Sequence, residues 1–279
     1  MANPIPESFD RRVLASSLDH VGGVCWDAHR RCLWAGGEGG QLYRIGLFGT
    51  KRVMATIEGG ALLGMALDKE HFLYVCDPGS HRVWRVDGHG VHEPFGEHID
   101  HPNYPAFGPD GRLYVSDSGV ADEATGQLFV IDPDGATTNI TPRPLAYPTG
   151  LSVDATTLYV IESSAPAVSA MTLAGGPLEH LVEMESGNFE GLAMDGEGGL
   201  LISRYRPDQL WRWTASAGLD LLFEDGTDEY VLSHSNIAFY GERFDRLALT
   251  SLGGTNLVSV RLPFSGAPVH YPYVSSAPA

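Results

Sequence analysis

The chain of 279 residues has no run approaching about 18 consecutive apolar residues, which excludes a membrane-spanning helix. Cysteine is scarce. Cys25, Cys32 and Cys76 form an odd, sparse set that excludes a disulfide framework. Cys25 and Cys32 flank one predicted turn without zinc-site spacing, and all three read as small core residues. Basic residues are few: 18 Lys and Arg stand against 35 Asp and Glu, a formal charge of −17. Nucleic-acid phosphates require a basic stripe, and none is found, so no nucleic-acid partner is expected.

Other absences narrow the chemistry. The opening MANPIPESFDRRVLASSLD lacks a basic start followed by an apolar run. No secretory signal and no membrane partner are therefore expected, and the cytoplasm is the expected location. Asn139 in Asn-Ile-Thr fits a glycosylation acceptor, which would be idle there. G-x-S-x-G, H-E-x-x-H and C-x-x-C do not occur. These gaps exclude a nucleophile elbow, a zincin site and a dithiol redox pair. Glu38 lies in a Gly-rich AGGEGGQ stretch, but no Lys and no helix follow to make it a phosphate cradle. No helical period of useful length is present.

What the chain does have is turns and a repeat. It is 43% hydrophobic with 34 Gly and 18 Pro, the composition of a turn-rich globular protein. Six segments share one form: a leading residue, a short apolar strand, an Asp- or Gly-rich turn, and a second apolar strand. They begin at Gly22, Leu63, Asn103, Thr149, Glu190 and Ser235, at spacings of 41, 40, 46, 41 and 45. A period of about 40–50 residues built from short strands predicts a β-propeller with four strands per blade. Third strands follow in GQLYRI, HRVWRV, GQLFVI, PAVSAM, DQLWRW and NLVSV, and looser fourth strands in KRVMATI and LEHLVEM. The fold expected is all-β, a six-bladed β-propeller in one domain over residues 1–279. RRVLASS at 11–17 is expected to close the last blade and remove its open edge.

In that fold the first strand of each blade lines the central channel. The six leading residues then converge at one mouth. His20, His101, Tyr147, Asn188 and His234 should approach it from just outside the strands. Glu38, Asp77, Asp117, Glu162 and Arg204, which end the second strands, should approach it too. For Asp77, Asp117 and Glu162 a structural, turn-capping role is expected. Glu190 is the acidic centre of the ring. Enclosed there, it must either rise in pKa or find a cation. Asn103, Thr149 and Ser235 add neutral oxygens, a set suited to hard divalent ions. Alternatively Glu190 or a nearby His acts as general base.

The segments GGVCWDAHRRCLWAGG, PNYPAFGPDGRLYVSDSG, YPTGLSVDATTLYVIESS and FEGLAMDGEGGLLISR, with the ending GGTNLVSVRLPFSGAPVHYP, resemble the SMP-30/gluconolactonase/luciferin-regenerating-enzyme family. The resemblance covers nearly the whole chain. It implies a six-bladed propeller and a lactonase-type hydrolase acting on a small molecule. It also implies a divalent cation (calcium, magnesium, manganese or zinc) held by a Glu opening the first blade, an Asn opening the fourth and an Asp opening the fifth. Here those places hold Gly22, Thr149 and Glu190, so a metal-free site is the alternative. The family's substrate-binding Asn corresponds to Asn103, and an Arg two residues before it corresponds to His101. The expected catalytic residues are Glu190, His101 and His234. The expected substrate-binding residues are Asn103, Thr149, Tyr147, Ser235 and His20, and Glu190 with Asn103 are the expected metal ligands. The resemblance extends to strictosidine-synthase-like propellers, which implies a metal-independent lyase or synthase as one rival; the replaced metal positions favour a second, a non-catalytic ligand-binding propeller.

Overall fold

The computed structural model describes residues 10–225 and 234–274; the side chain of His234 lies outside the described part. Strand β1 (Arg11–Ala15) comes first in the chain. Blade 1 holds β2 (Gly23–Asp27), β3 (Cys32–Gly36), β4 (Gln41–Gly46) and β5 (Lys51–Thr56). Blade 2 holds β6 (Met65–Leu67), β7 (Leu73–Asp77), β8 (Arg82–Val86) and β9 (His92–Phe95). Blade 3 holds β10 (Pro102–Phe107), β11 (Leu113–Asp117), β12 (Gln127–Ile131) and β13 (Thr137–Asn139). Blade 4 holds β14 (Pro148–Val153), β15 (Thr157–Glu162), β16 (Ala167–Thr172) and β17 (Glu179–Glu183). Blade 5 holds β18 (Asn188–Met194), β19 (Leu200–Tyr205), β20 (Gln209–Thr214) and β21 (Gly218–Glu224). Blade 6 holds β22 (His234–Tyr240), β23 (Arg246–Ser251) and β24 (Leu257–Arg261), with β1 as its outer strand. The molecule is an all-β, six-bladed propeller.

Ring closure works as the repeat predicts. β1 pairs antiparallel with β24, Arg11 opposite Val260 and Val13 opposite Val258. The edge of β24 is therefore covered, and the first and last strands of the chain are tied together in one sheet. The apolar core lies between blades. Middle strands such as Leu73–Asp77 and Leu113–Asp117 are buried at every position. Both faces of each sheet are covered by neighbours, which is why these strands read as near-continuous apolar runs.

An aspartate closes the turn after the inner strand in blades 1 to 5. Asp27, Asp68, Asp110, Asp154 and Asp195 accept backbone N–H bonds from Arg30, Phe72, Arg112, Thr156 and Gly199 at 2.8–3.1 Å. In three blades a tyrosine on the next strand donates its hydroxyl to the same carboxylate: Tyr74, Tyr114 and Tyr159. These bonds fix the hairpin that returns each chain from the axis.

The inner strands share a second irregularity, at the leading residue itself. In blade 5, Phe189 pairs with Arg204 and Leu192 with Ile202, so Glu190 and Gly191 together oppose Ser203. Blades 3, 4 and 6 break register at the same place, at Asn103, at Thr149–Gly150 and at Ser235–Asn236. In blade 2 both Leu63 and Gly64 bond to Cys76, and in blade 1 Gly22 bonds to Gly36 beside the Gly23–Gly36 pair. Each is a two-on-one bulge, which turns a side chain away from the regular alternation. In blades 1, 2, 4 and 5 the residue after the leading one is a glycine: Gly23, Gly64, Gly150 and Gly191. A Cβ on Gly150 would lie 2.4 Å from the Glu190 carbonyl oxygen, and one on Gly23 1.8 Å from that of Leu63. Without a side chain there, neighbouring inner strands approach backbone to backbone.

Candidate active site

Glu190 is carried by the bulge of β18. It is partly enclosed and makes no hydrogen bond or ion pair among the described residues. Burial alone pushes its carboxyl up to about 8, because no cation or donor offsets the loss of water. Tyr147 and Tyr205 stand within its electrostatic reach. Burial first, and then the Glu190 charge, raises both phenols, so they remain O–H donors. The combination is one acid without a partner among the described residues and two neutral phenols that feel its charge.

The other ring positions are less free. Gly22 has no side chain, and a Cβ there would lie 2.6 Å from Leu63 Cδ2. Leu63 is apolar. Thr149 is fully buried and its hydroxyl donates to the Phe189 carbonyl at 3.1 Å, tying blade 4 to blade 5. Ser235 is buried with its Oγ 3.0 Å from Thr250 Oγ1. Asn103 is half-buried; its Nδ2 donates to Ser118 Oγ at 2.9 Å, and its amide oxygen has no partner among the described residues. Asn103 is thus the ring residue besides Glu190 that keeps an unused polar atom.

The flanking residues divide likewise. His20 and Tyr147 each precede a ring position by two residues and take left-handed backbone (φ 38° and 57°). His20 Nδ1 lies 2.8 Å from the Leu252 carbonyl oxygen. His101 is exposed; its backbone N–H donates to Asp117 and its ring packs edge-on against His81. No hydrogen bond, ion pair or ring contact joins it to Glu190. His234 opens β22, but its side chain is outside the described residues. Asn188 and Glu38 are exposed. Arg204 donates to Gln209 Oε1 at 3.0 Å.

The acids ending the second strands are in use. Asp77 accepts from Ala61 N and Trp84 Nε1, both at 2.8 Å. Asp117 accepts from His101 and Gly119 N–H groups. Glu162 is clamped by Arg143 through two bonds of 2.9 and 2.6 Å and by Ser169. Burial alone would raise its carboxyl, but Arg143 and Ser169 hold it below its ordinary value.

Among the described residues the donors do not fit a resident hard cation. Calcium takes 6–8 oxygens. The ring supplies one carboxylate and one unused amide oxygen, with the Thr149 hydroxyl engaged by blade 5 and the Ser235 hydroxyl by Thr250 of its own blade. Among the described residues no group of three or more His, Cys, Asp or Glu side chains could hold a metal ion. Tyr205 was not anticipated from sequence. It ends β19 one residue beyond Arg204, and strand alternation from that neighbour is the signal that points to it.

The ring of six four-stranded blades defines the class by its fold. The profile of the SMP-30/Gluconolactonase/LRE-like region matches residues 92–253, more than half of the chain, and the chain belongs to that family. Among solved structures, a gluconolactonase from Xanthomonas campestris superposes with TM-score 0.78 at 20% identity, covering 94% of this chain and 92% of that one. A calcium-binding regucalcin from Agrobacterium tumefaciens gives 0.77 at 17%, covering 96% and 98%. A virginiamycin B lyase from Staphylococcus aureus gives 0.67 at 14%, covering 96% and 90%. At these identities the likeness concerns the fold. A search of curated protein sequences found no match.

Proposed function

We propose that the protein is a hydrolase that opens a lactone or related small cyclic ester, with Glu190 as general base. The observation that carries this reading is the unpartnered Glu190 carboxyl, raised to about 8 beside two phenols. Ionised Glu190 removes a proton from water as its oxygen adds to the ester carbonyl. Tyr147 or Tyr205 donates a hydrogen bond to the carbonyl oxygen as it gains charge. The ring C–O bond then breaks, and the proton on Glu190 passes to the departing alkoxide. One water is consumed and one hydroxy acid is formed. The unused amide oxygen of Asn103 accepts a hydrogen bond from a substrate hydroxyl. A small molecule is the partner in this reading, and the −17 charge favours no nucleic acid.

Glu190→Gln, assayed on a lactone panel with and without chelator, tests the reading. A general base contributes about 10²–10⁴-fold, so a loss of that size is expected. Chelator should leave the wild-type rate intact. Unchanged turnover in the variant overturns the role of Glu190. A rate abolished by chelator and restored by a divalent ion instead places Glu190 and Asn103 as ligands. A product formed without uptake of water favours the lyase alternative.

A further inference from the structure

A cavity of about 380 Å³ lies inside the ring of inner strands, beyond the leading residues. Its walls come from all six blades, and its lining is mainly apolar, with Ser152, Asp154, His270 and Tyr271 as polar members. The cause is one residue per blade. Three positions after each leading residue stand Cys25, Ala66, Ala106, Ser152, Ala193 and Ala238, all half-buried and all lining the cavity. Their neighbours, such as Leu192 and Ile237, are buried between blades.

In a regular strand, residues three apart face opposite sides. The bulge inserts one extra residue between them and restores the parity. Glu190 and Ala193 thus share the axial side of β18, as Asn103 and Ala106 do in β10. The small side chains three positions after each leading residue leave room for the cavity at this level of the ring.

A strap of chain spans the far end. Residues 267–271 cross the axis and line the cavity floor. The Ala267 N–H donates to the Met194 carbonyl at 2.9 Å in blade 5, and the Lys69 N–H donates to the Pro272 carbonyl at 2.8 Å beside blade 2. The Tyr271 hydroxyl reaches the Trp26 carbonyl at 3.4 Å in blade 1. The one carboxylate in the wall, Asp154, is taken by two backbone N–H groups and Tyr159. A space of this kind suits hydrocarbon better than water.

We propose that this chamber holds a hydrocarbon chain of the substrate, so that the preferred lactone carries an unbranched alkyl group, its ring at Glu190 and its chain toward the 267–271 strap. The inference rests on the hydrolase reading above. Each methylene buried contributes enough to raise kcat/KM about fourfold, until the strap stops the chain.

The test is a series of γ-lactones bearing methyl to octyl side chains, assayed on the wild type, Ala193→Leu and Ala106→Leu, each checked for fold by circular dichroism. The expected result is a stepwise rise in kcat/KM that levels off in the wild type. The octyl-to-methyl ratio should collapse in whichever filled variant folds. A flat series in a wild type that turns the lactones over, or a ratio kept in a folded variant, overturns the chamber and leaves the hydrolase reading standing. If no lactone is turned over, the hydrolase reading fails, and calorimetry with 1-octanol decides the chamber. Binding that is weakened at least tenfold by Ala193→Leu or Ala106→Leu supports it, and absence of binding overturns it.

Discussion

At the scale of the residue, Glu190 sits where its charge is disfavoured. Its carboxyl moves from 4.5 to about 8 on folding. Between those values the folded chain holds a proton that the unfolded chain has lost. Its contribution to stability is therefore complete below 4.5, declines as pH rises, and is gone above about 8. Glu190→Gln keeps the shape of the protonated group and cannot ionise. The wild-type melting temperature is expected to fall relative to the variant between pH 5 and 8.5. A constant gap across that range would show that the carboxyl is not shifted. Asn103, Thr149 and Ser235 look alike in sequence, each a polar residue opening an apolar strand. The structure separates them by what surrounds them: the Thr149 and Ser235 hydroxyls have acceptors in the next blade or strand, whereas Asn103 retains an unpaired oxygen.

At the scale of the element, the hairpins depend on buried carboxylates. Asp195 accepts from Glu197 and Gly199 N–H groups at 2.8 Å and from Arg212 Nε at 2.7 Å. Burial opposes its ionisation, but Arg212 and the two N–H groups hold its carboxyl below its ordinary value. Asp195→Ala leaves two backbone donors unpaired and Arg212 with Glu197 alone, and is expected to cost about 1–3 kcal/mol in urea unfolding. That difference is present above pH 3.8 and narrows as pH falls below it, because the wild-type carboxyl is then protonated. A pH-independent difference would point to packing instead. The repeat made strand identity and blade count legible. Boundaries were less so: β2 and β6 begin at Gly23 and Met65, one and two residues after the expected Gly22 and Leu63. The displacement has a physical origin, because the two-on-one bulge interrupts the ladder at that point. The same bulge hid the axial ring of small residues. Simple alternation puts positions three apart on opposite faces, so Ala193 and Glu190 would be assigned to different sides.

At the scale of the molecule, closure by β1 holds the ring together. Leu14 is buried in the cluster between blades 6 and 1, with Trp26, Tyr240 and Leu257. Leu14→Ala is expected to cost about 2–5 kcal/mol. Deletion of residues 1–17 is expected to lower the melting temperature further and to promote self-association by exposing the edge of β24. Light scattering and a thermal scan would show both effects, and a truncated chain as stable and monomeric as the full one would deny β1 its part in closure. The same closed ring brings six distant stretches together as inner strands, and among the described residues the Glu190 carboxylate makes no hydrogen bond or ion pair. The most direct measurement is a ¹³C NMR titration of Glu190 in chain labelled at glutamate carboxyls, identified by the signal missing from Glu190→Gln. A midpoint near 8 is predicted. A midpoint near 4.5 would mean that the side chain meets water or a cation instead of the enclosed axis, and would contradict the account.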